Sequence, residues 1–160
     1  MSPERFADLV RAEQTSLRRF LLGLCCGNAP EADDIAQEAL VRAWVASGSF
    51  LGRSRFSTWL FRIAYRCYID RKRKFRPESL SADAVHAREI PDDAQADDAF
   101  RWQRLYAALD ALPEKEKAAT VLHYFEECSI REIAAILQTP AGTVKYLLFS
   151  ARKRLKTLLQ

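Results

Sequence analysis

The chain has 160 residues, 49% of them hydrophobic and 29% charged, which suits one ordinary domain or two small ones and excludes a disordered chain. The net charge is only +4, but it is laid out in blocks: residues 53–76 hold nine Lys/Arg against one acid, Asp70, residues 78–98 hold seven acids against Arg88 alone, and residues 145–160 hold five bases and no acid. Two basic blocks around an acidic one point to a polyanionic partner that the mean charge understates.

Helical periodicity runs through nearly the whole chain, which has five glycines and six prolines, and it predicts an all-α protein. The expected helices are 3–24, 30–47, 55–75, 97–111, 113–126, 129–138 and 140–159. The break at Gly27–Pro30 parts the first two, and Gly48 and Gly52 bracket a loop before the third. Residues 77–96 are acidic, proline-containing and poor in apolar side chains, which is the composition of a flexible linker. They divide the chain into helical modules at 1–76 and 97–160, and modules this small gain from docking on something larger.

The second predicted helix carries a polar stripe of Asp34, Glu38 and Arg42 at i, i+4 and i+8, beside Gln37, Val41 and Val45. Ile35, Ala36, Ala39, Leu40 and Ala43 form its opposite, core face. Pairing of Glu38 with Arg42 explains such a stripe on its own. The valines exposed beside it hint at a partner surface.

The third, with the loop before it, interleaves the nine bases with rings: Phe50, Phe56, Trp59, Phe61, Tyr65, Tyr68 and Phe75. A core needs the rings without the charges, and a solvated face needs the charges without the rings. Both together suit a surface that grips phosphates and stacks on unpaired bases. Trp59, Leu60, Ile63 and Cys67 are expected in the core. Arg62, Arg66, Arg71 and Lys74 are expected on the backbone, with Phe50–Phe56 at the helix entry where a flipped base is received.

Residues 129–159 have the form of a helix-turn-helix. Ser129 and Glu132 make a capping box, Ile130, Ile133, Ala134 and Leu137 give one apolar face, and Thr139 followed by Pro140 predicts the cap and first turn of a second helix. In that helix Val144, Leu147, Leu148, Ala151, Leu155 and Leu158 gather on one side. Lys145, Tyr146, Phe149, Arg152, Lys153 and Lys156 gather on the other, a face suited to thymine methyls, guanine edges and phosphates.

Three segments, DDIAQEALVRAW, FLGRSRFSTWLFRIAYRCYIDRKRK and GTVKYLLFSARKRL, resemble in order the signatures of sigma-70-type initiation factors of bacterial RNA polymerase. Two modules on a short linker resemble the extracytoplasmic-function (ECF) group of that family. The resemblance implies that Asp33, Asp34, Gln37, Glu38 and Arg42 dock on the clamp helices of the largest subunit of core polymerase. It implies that Phe50, Gly52, Arg55, Phe56, Thr58 and Trp59 open the −10 element and capture an unpaired base, with Trp59 as scaffold. Arg62, Arg66, Arg71 and Lys72 would track the backbone. Thr143, Lys145, Tyr146, Phe149, Arg152 and Lys153 would read the −35 element. Core polymerase (the flap of its second-largest subunit included), promoter DNA and an anti-sigma factor are the implied partners, without a cofactor or small-molecule substrate. The chain has Arg66 where the family often has Asn, Tyr146–Leu147 where it often has Ser-Arg, and Ser150 where it often has Arg.

Two other classes compete: a stand-alone helix-turn-helix regulator, for which no long heptad seam supplies a dimer interface, and a sigma-mimicking adaptor for an anti-sigma factor, which would not need the basic recognition face. An enzyme has the least support, since His86 and His123 lie far from any nucleophile signature and no Gly-rich phosphate loop is present. Cys25, Cys26, Cys67 and Cys128 form no C-x-x-C pair, which predicts no zinc site and reduced thiols in a cytosolic protein. The amphipathic N-terminus lacks an apolar signal core, and no run approaches the roughly 18 apolar residues of a membrane span.

Overall fold

The computed structural model describes residues 1–74, 88–90 and 98–160. Among the described residues the α-helices are α1 (Pro3–Leu24), α2 (Ala29–Val45), α3 (Phe56–Lys74), α4 (Ala99–Asp110), α5 (Glu114–Thr120), α6 (Ile130–Leu137) and α7 (Ala141–Leu158). There is no strand among the described residues, and the helix bounds lie within about two residues of the expected ones except where α5 passes into a π-turn at Val121–Phe125.

Local chemistry fixes the helix starts. Ser2 caps α1 by accepting from the Arg5 N–H, and Pro3 needs no N–H in the first turn. Asn28 caps α2 by accepting from the Glu31 N–H at 3.3 Å. The four residues between them turn sharply, with Cys26 at φ 51° and Gly27 at φ 87°. Gly27 is required twice over: its φ is left-handed, and a Cβ there would lie 2.8 Å from the Arg88 Cβ.

α1, α2 and α3 form the N-terminal half. Ala32, Ile35, Ala39 and Ala43 of α2 are fully buried, and the small size of the three alanines lets the helix axes approach. Phe20 and Phe61 stack at 5.0 Å across α1 and α3. In the C-terminal half, α5 and α6 pack against α7, and α4 lies along α7. The capping box of α6 is complete: the Glu132 N–H donates to Ser129 Oγ and the Ser129 N–H donates to Glu132 Oε1. Thr139 does not cap α7; its hydroxyl donates to the Leu137 carbonyl, and Pro140 opens the helix without a side-chain cap. Gln138 makes the turn at φ 52°.

The halves share one apolar core. α3 packs on α6, and α1 packs on the π-turn. A Cβ added to Gly23 would meet Val121 Cγ1 at 2.8 Å, so α1 comes this close only because residue 23 is glycine.

This packing corrects the reading of the aromatic rings. Phe56, Phe61, Tyr65 and Tyr68 are buried, so they are core and not a stacking platform. α3 packs against three helices, α1, α2 and α6, which is why more of its circumference is apolar than one buried stripe requires. Phe75 and most of the predicted linker lie outside the described residues. Of that segment, residues 88–90 are held against the α1–α2 turn: the Glu89 N–H donates to the Gly27 carbonyl at 2.7 Å, and Arg18 Nη2 donates to Glu89 Oε2 at 2.8 Å.

Candidate nucleic-acid interface

The outer face of α2 presents Asp33, Asp34, Gln37 and Glu38 to solvent. The acids are held by cations behind them. Asp33 accepts from Arg18 at 3.1 Å, Asp34 from Arg71 at 3.4 Å, and Glu38 from Arg42 at 2.7 Å. Arg42 also donates to Asp70 at 3.0 Å, and that bond, ahead of the one to Glu38, raises the guanidinium pKa. Arg42 therefore ties α2 to α3 and sets the stripe in place. Exposed pairs of this kind add little stability, so their effect is orientation.

Beside the acids lies an apolar patch: Val41 is 63% exposed, Val45 80% and Leu51 68%. Trp44 belongs to it at 42% exposure, its other side packed on Phe6 at 5.2 Å. Sequence reasoning passed over Trp44, although it sits three residues after Val41 and one before Val45. Apolar side chains bordered by charge mark partner surfaces.

The entry to α3 is an aromatic cluster. Phe56 is at its centre, 5.6 Å from Phe50, 5.7 Å from Trp59 and 6.2 Å from Phe6. Phe56 is buried, while Phe50 and Trp59 are half-buried at the rim. The rim rings and the exposed loop Leu51–Arg55 are thus the part open to solvent. Thr58 is buried in the helix, and Gly52 holds a φ of 73° with open space around it.

The basic bank on α3 has two parts. Arg71 is half-buried against Asp34, and Lys72 sits over the Tyr68 ring at 5.5 Å. Arg62 and Arg66 are exposed on the wall of a cleft of about 680 Å³, which Arg73 and Lys115 also line, and whose far wall is Ile136, Leu137 and Gln138. Arg55 is exposed, but its Nη1 lies 3.4 Å from Glu132 Oε2.

On α7 the faces separate as expected. Val144, Leu148 and Ala151 are buried, and Thr143, Lys145, Tyr146, Phe149, Arg152 and Lys153 are exposed. Tyr146 is 66% exposed and Phe149 64%. Two large rings displayed this far beside cations are a poor use of a solvated helix and a good contact face for a major groove. Leu158, expected on the apolar side, is instead 46% exposed at the helix end.

All four cysteines are buried and free. Burial pushes the thiols of Cys26 and Cys67 up to about 11 and that of Cys128 up to about 12, away from nucleophilic character. No group of His, Cys, Asp and Glu among the described residues has the arrangement of a metal site. Nor is any described helix long and apolar enough to cross a membrane.

Residues 9–77 match the family model described as Sigma-70 region 2, and residues 102–155 that described as Sigma-70, region 4. The chain is 35% identical to the ECF RNA polymerase sigma factor SigW of Bacillus subtilis (strain 168) over 169 residues, covering 98% of the chain and 90% of the relative. It is 34% identical to the ECF RNA polymerase sigma factor EcfG of Rhodopseudomonas palustris (strain TIE-1), covering 95% and 83%. Among solved structures it is similar to the sigma factor RpoE in its complex with the anti-sigma factor NepR from Bartonella quintana, with a TM-score of 0.80, 27% identity and coverage of 98% and 97%.

Proposed function

The chain belongs to the sigma-70 family of RNA polymerase sigma factors, in its ECF group, and on that premise we propose a division of its surface among three macromolecules. Core polymerase takes the α2 face, with Asp33, Asp34, Gln37 and Glu38 as the charged contacts, Arg42 positioning them, and Val41, Trp44 and Val45 as the apolar contacts. The −10 element takes the entry to α3: Arg53, Arg55 and the rim rings Phe50 and Trp59 receive the unpaired strand, and Arg62 and Arg66 follow its phosphates. The −35 element takes α7 through Lys145, Tyr146, Phe149, Arg152 and Lys153.

The mechanism follows from chemistry that the polymerase supplies and this chain does not. The sigma factor contributes address and local opening. Phosphate contacts fix its register on DNA, and base-edge and stacking contacts select the sequence. Buried Phe56 is the rigid backing against which the rim rings hold position. An anti-sigma factor is the expected regulator, because the similar RpoE was solved with one bound.

The observation that carries this reading is the co-existence, on one small helical frame, of an acidic–apolar α2 face and the exposed basic–aromatic face of α7. A stand-alone regulator has no use for the first. In vitro transcription with purified core polymerase on a genomic library, with start-site mapping, tests it. Initiation from a discrete promoter set that needs this protein is the expected result. Tight duplex binding without core, and no initiation with it, would replace it by the regulator reading.

A further inference from the structure

Four cations of one cleft stand without an anionic partner. Arg62, Arg66 and Arg73 fall at i, i+4 and i+11 on α3, and with Ile69 at i+7 they make one stripe along the helix. Lys115 brings a fourth cation from α5 to the same cleft of about 680 Å³. All four side chains are exposed, and among the described residues none of them makes an ion pair or a side-chain hydrogen bond.

The acids nearby are committed elsewhere. Asp70 accepts from Arg42. Glu114, the one acid that lines the cleft, accepts from the Tyr68 hydroxyl at 2.5 Å and lies 3.2 Å from Lys117 Nζ. Other arginines of this frame, Arg18, Arg42 and Arg71 among them, each meet a carboxylate. Like charges at i and i+4 repel, so Arg62 and Arg66 gain from an anion that lies between them.

The remaining lining is apolar. Ile63 and Ile69 are half-buried beside the arginines, and the far wall holds buried Ile136 and Leu137 with the exposed amide of Gln138.

We propose that this cleft is a binding site for a nucleoside polyphosphate. The three guanidinium forks match phosphate oxygens two at a time, and Lys115 adds a mobile point charge. The nucleoside body has Ile69, Ile136 and Leu137 to cover it, and the Gln138 amide offers both a donor and an acceptor to a base or sugar edge. The volume lies within the roughly 300–1,000 Å³ of small-molecule sites. A strand that tracks α3 needs cations from α3 alone. Here a further cation arrives from another helix and an apolar wall faces the stripe, which suits a compact anion with an apolar body.

The consequence for promoters rests on the reading of Arg62 and Arg66 as −10 phosphate contacts. A nucleotide in the cleft occupies both, so it competes with the unpaired strand, and promoter opening by this chain becomes sensitive to nucleotide concentration.

Isothermal titration of the full chain with ATP, GTP and inorganic triphosphate at about 0.15 M salt tests the site. Saturable binding of ATP or GTP at one site is expected, with inorganic triphosphate at least about tenfold weaker because it leaves the apolar wall bare. Lys115→Gln and Arg73→Gln touch no proposed DNA or polymerase contact, and each is expected to weaken nucleotide binding about tenfold. Arg101→Gln, on α4 and outside the cleft, removes the same charge and is expected to leave binding unchanged. No saturable binding, inorganic triphosphate bound as tightly as the nucleotide, or an equal loss in Arg101→Gln would each overturn the proposal. Initiation assays with core polymerase judge the −10 reading separately: a chain that binds nucleotide but directs no initiation keeps the site and removes its link to promoter opening.

Discussion

Arg19 and Glu126 join the two halves through both oxygens of one carboxylate: Arg19 Nε donates to Oε2 at 2.7 Å and Nη2 to Oε1 at 3.0 Å, with the Glu126 side chain only 2% exposed. Desolvation outweighs the guanidinium and lifts the Glu126 carboxyl above its ordinary value. An acid whose folded pKa is raised contributes stability below its unfolded value, and that contribution is lost as pH rises through the raised one. Removing Arg19 raises it further. Arg19→Ala is expected to cost about 1–3 kcal/mol at pH 7, with the loss shrinking as pH falls through the raised carboxyl value toward the ordinary one. Urea titrations at pH 7 and pH 4.5 check this, and an equal loss at both would contradict it.

Asp34 and Glu38 stand on the solvent side of α2. Reversing both to Lys breaks only exposed pairs, so the unfolding free energy is expected to change by no more than about 0.5 kcal/mol per site. Affinity for core polymerase is expected to fall at least about tenfold through like-charge contact. Unchanged affinity would move the docking surface elsewhere.

On α7 the two kinds of contact separate experimentally. Lys145→Ala is expected to weaken promoter binding evenly across sequences and to reduce the salt slope by about one. Phe149→Ala is expected to alter the base preference of the −35 element by about 1 kcal/mol or more at the position that it touches. Competition binding by holoenzyme on a randomised −35 library reads both, and core affinity is the control.

Gly23 leaves no room for a methyl group. The nearest atom, Val121 Cγ1, belongs to a β-branched side chain that has few rotamers into which to retreat. Gly23→Ala is expected to cost about 1–3 kcal/mol by overpacking, measured by thermal unfolding. The damage falls on the contact between halves, so the scattering radius is expected to grow as well. A variant as stable and compact as wild type would show that α1 slides freely.

The thiols and phenols predict an alkaline limit. Burial raises Cys26 and Cys67 to about 11, and Cys128, Tyr65 and Tyr106 to about 12, against ordinary values of 9.0 and 10.0. Groups with raised folded pKa values contribute stability in full below the unfolded values and lose it as pH rises through the folded ones. The melting temperature is expected to be insensitive to these groups up to about pH 9 and to fall steeply above it. Iodoacetamide at pH 8 is expected to modify the native thiols far more slowly than the urea-unfolded ones.

Much of this was legible in the sequence. The α6 capping box and the split faces of α7 depend on neighbours within four residues, so Ser129, Glu132, Val144 and Phe149 could be placed by spacing alone. The α2 face was legible for the same reason. What failed was long-range. Tyr65 and Tyr68 sit in a stretch so basic that it reads as one exposed surface, and nothing in it announces that α6 covers them. Lys117, in the segment EKEKAAT, reads as a solvated lysine. Its burial is decided by Tyr68, a residue 49 positions earlier. Arg18 likewise gave no signal, because its partners Asp33 and Glu89 come from two other segments.

The hold on residues 88–90 at the α1–α2 turn divides the segment between α3 and α4 into two spans of very different reach. From Ile90 to Asp98 the backbone reaches at most about 28 Å, whereas from Lys74 to Asp98 it reaches about 80 Å. The Glu89 N–H bond to the Gly27 carbonyl and the Arg18–Glu89 pair therefore choose between a short tether and a long one. Arg18 also holds Asp33 on the α2 stripe that we propose faces polymerase, so a partner that claims Asp33 would leave Arg18 to Glu89 alone.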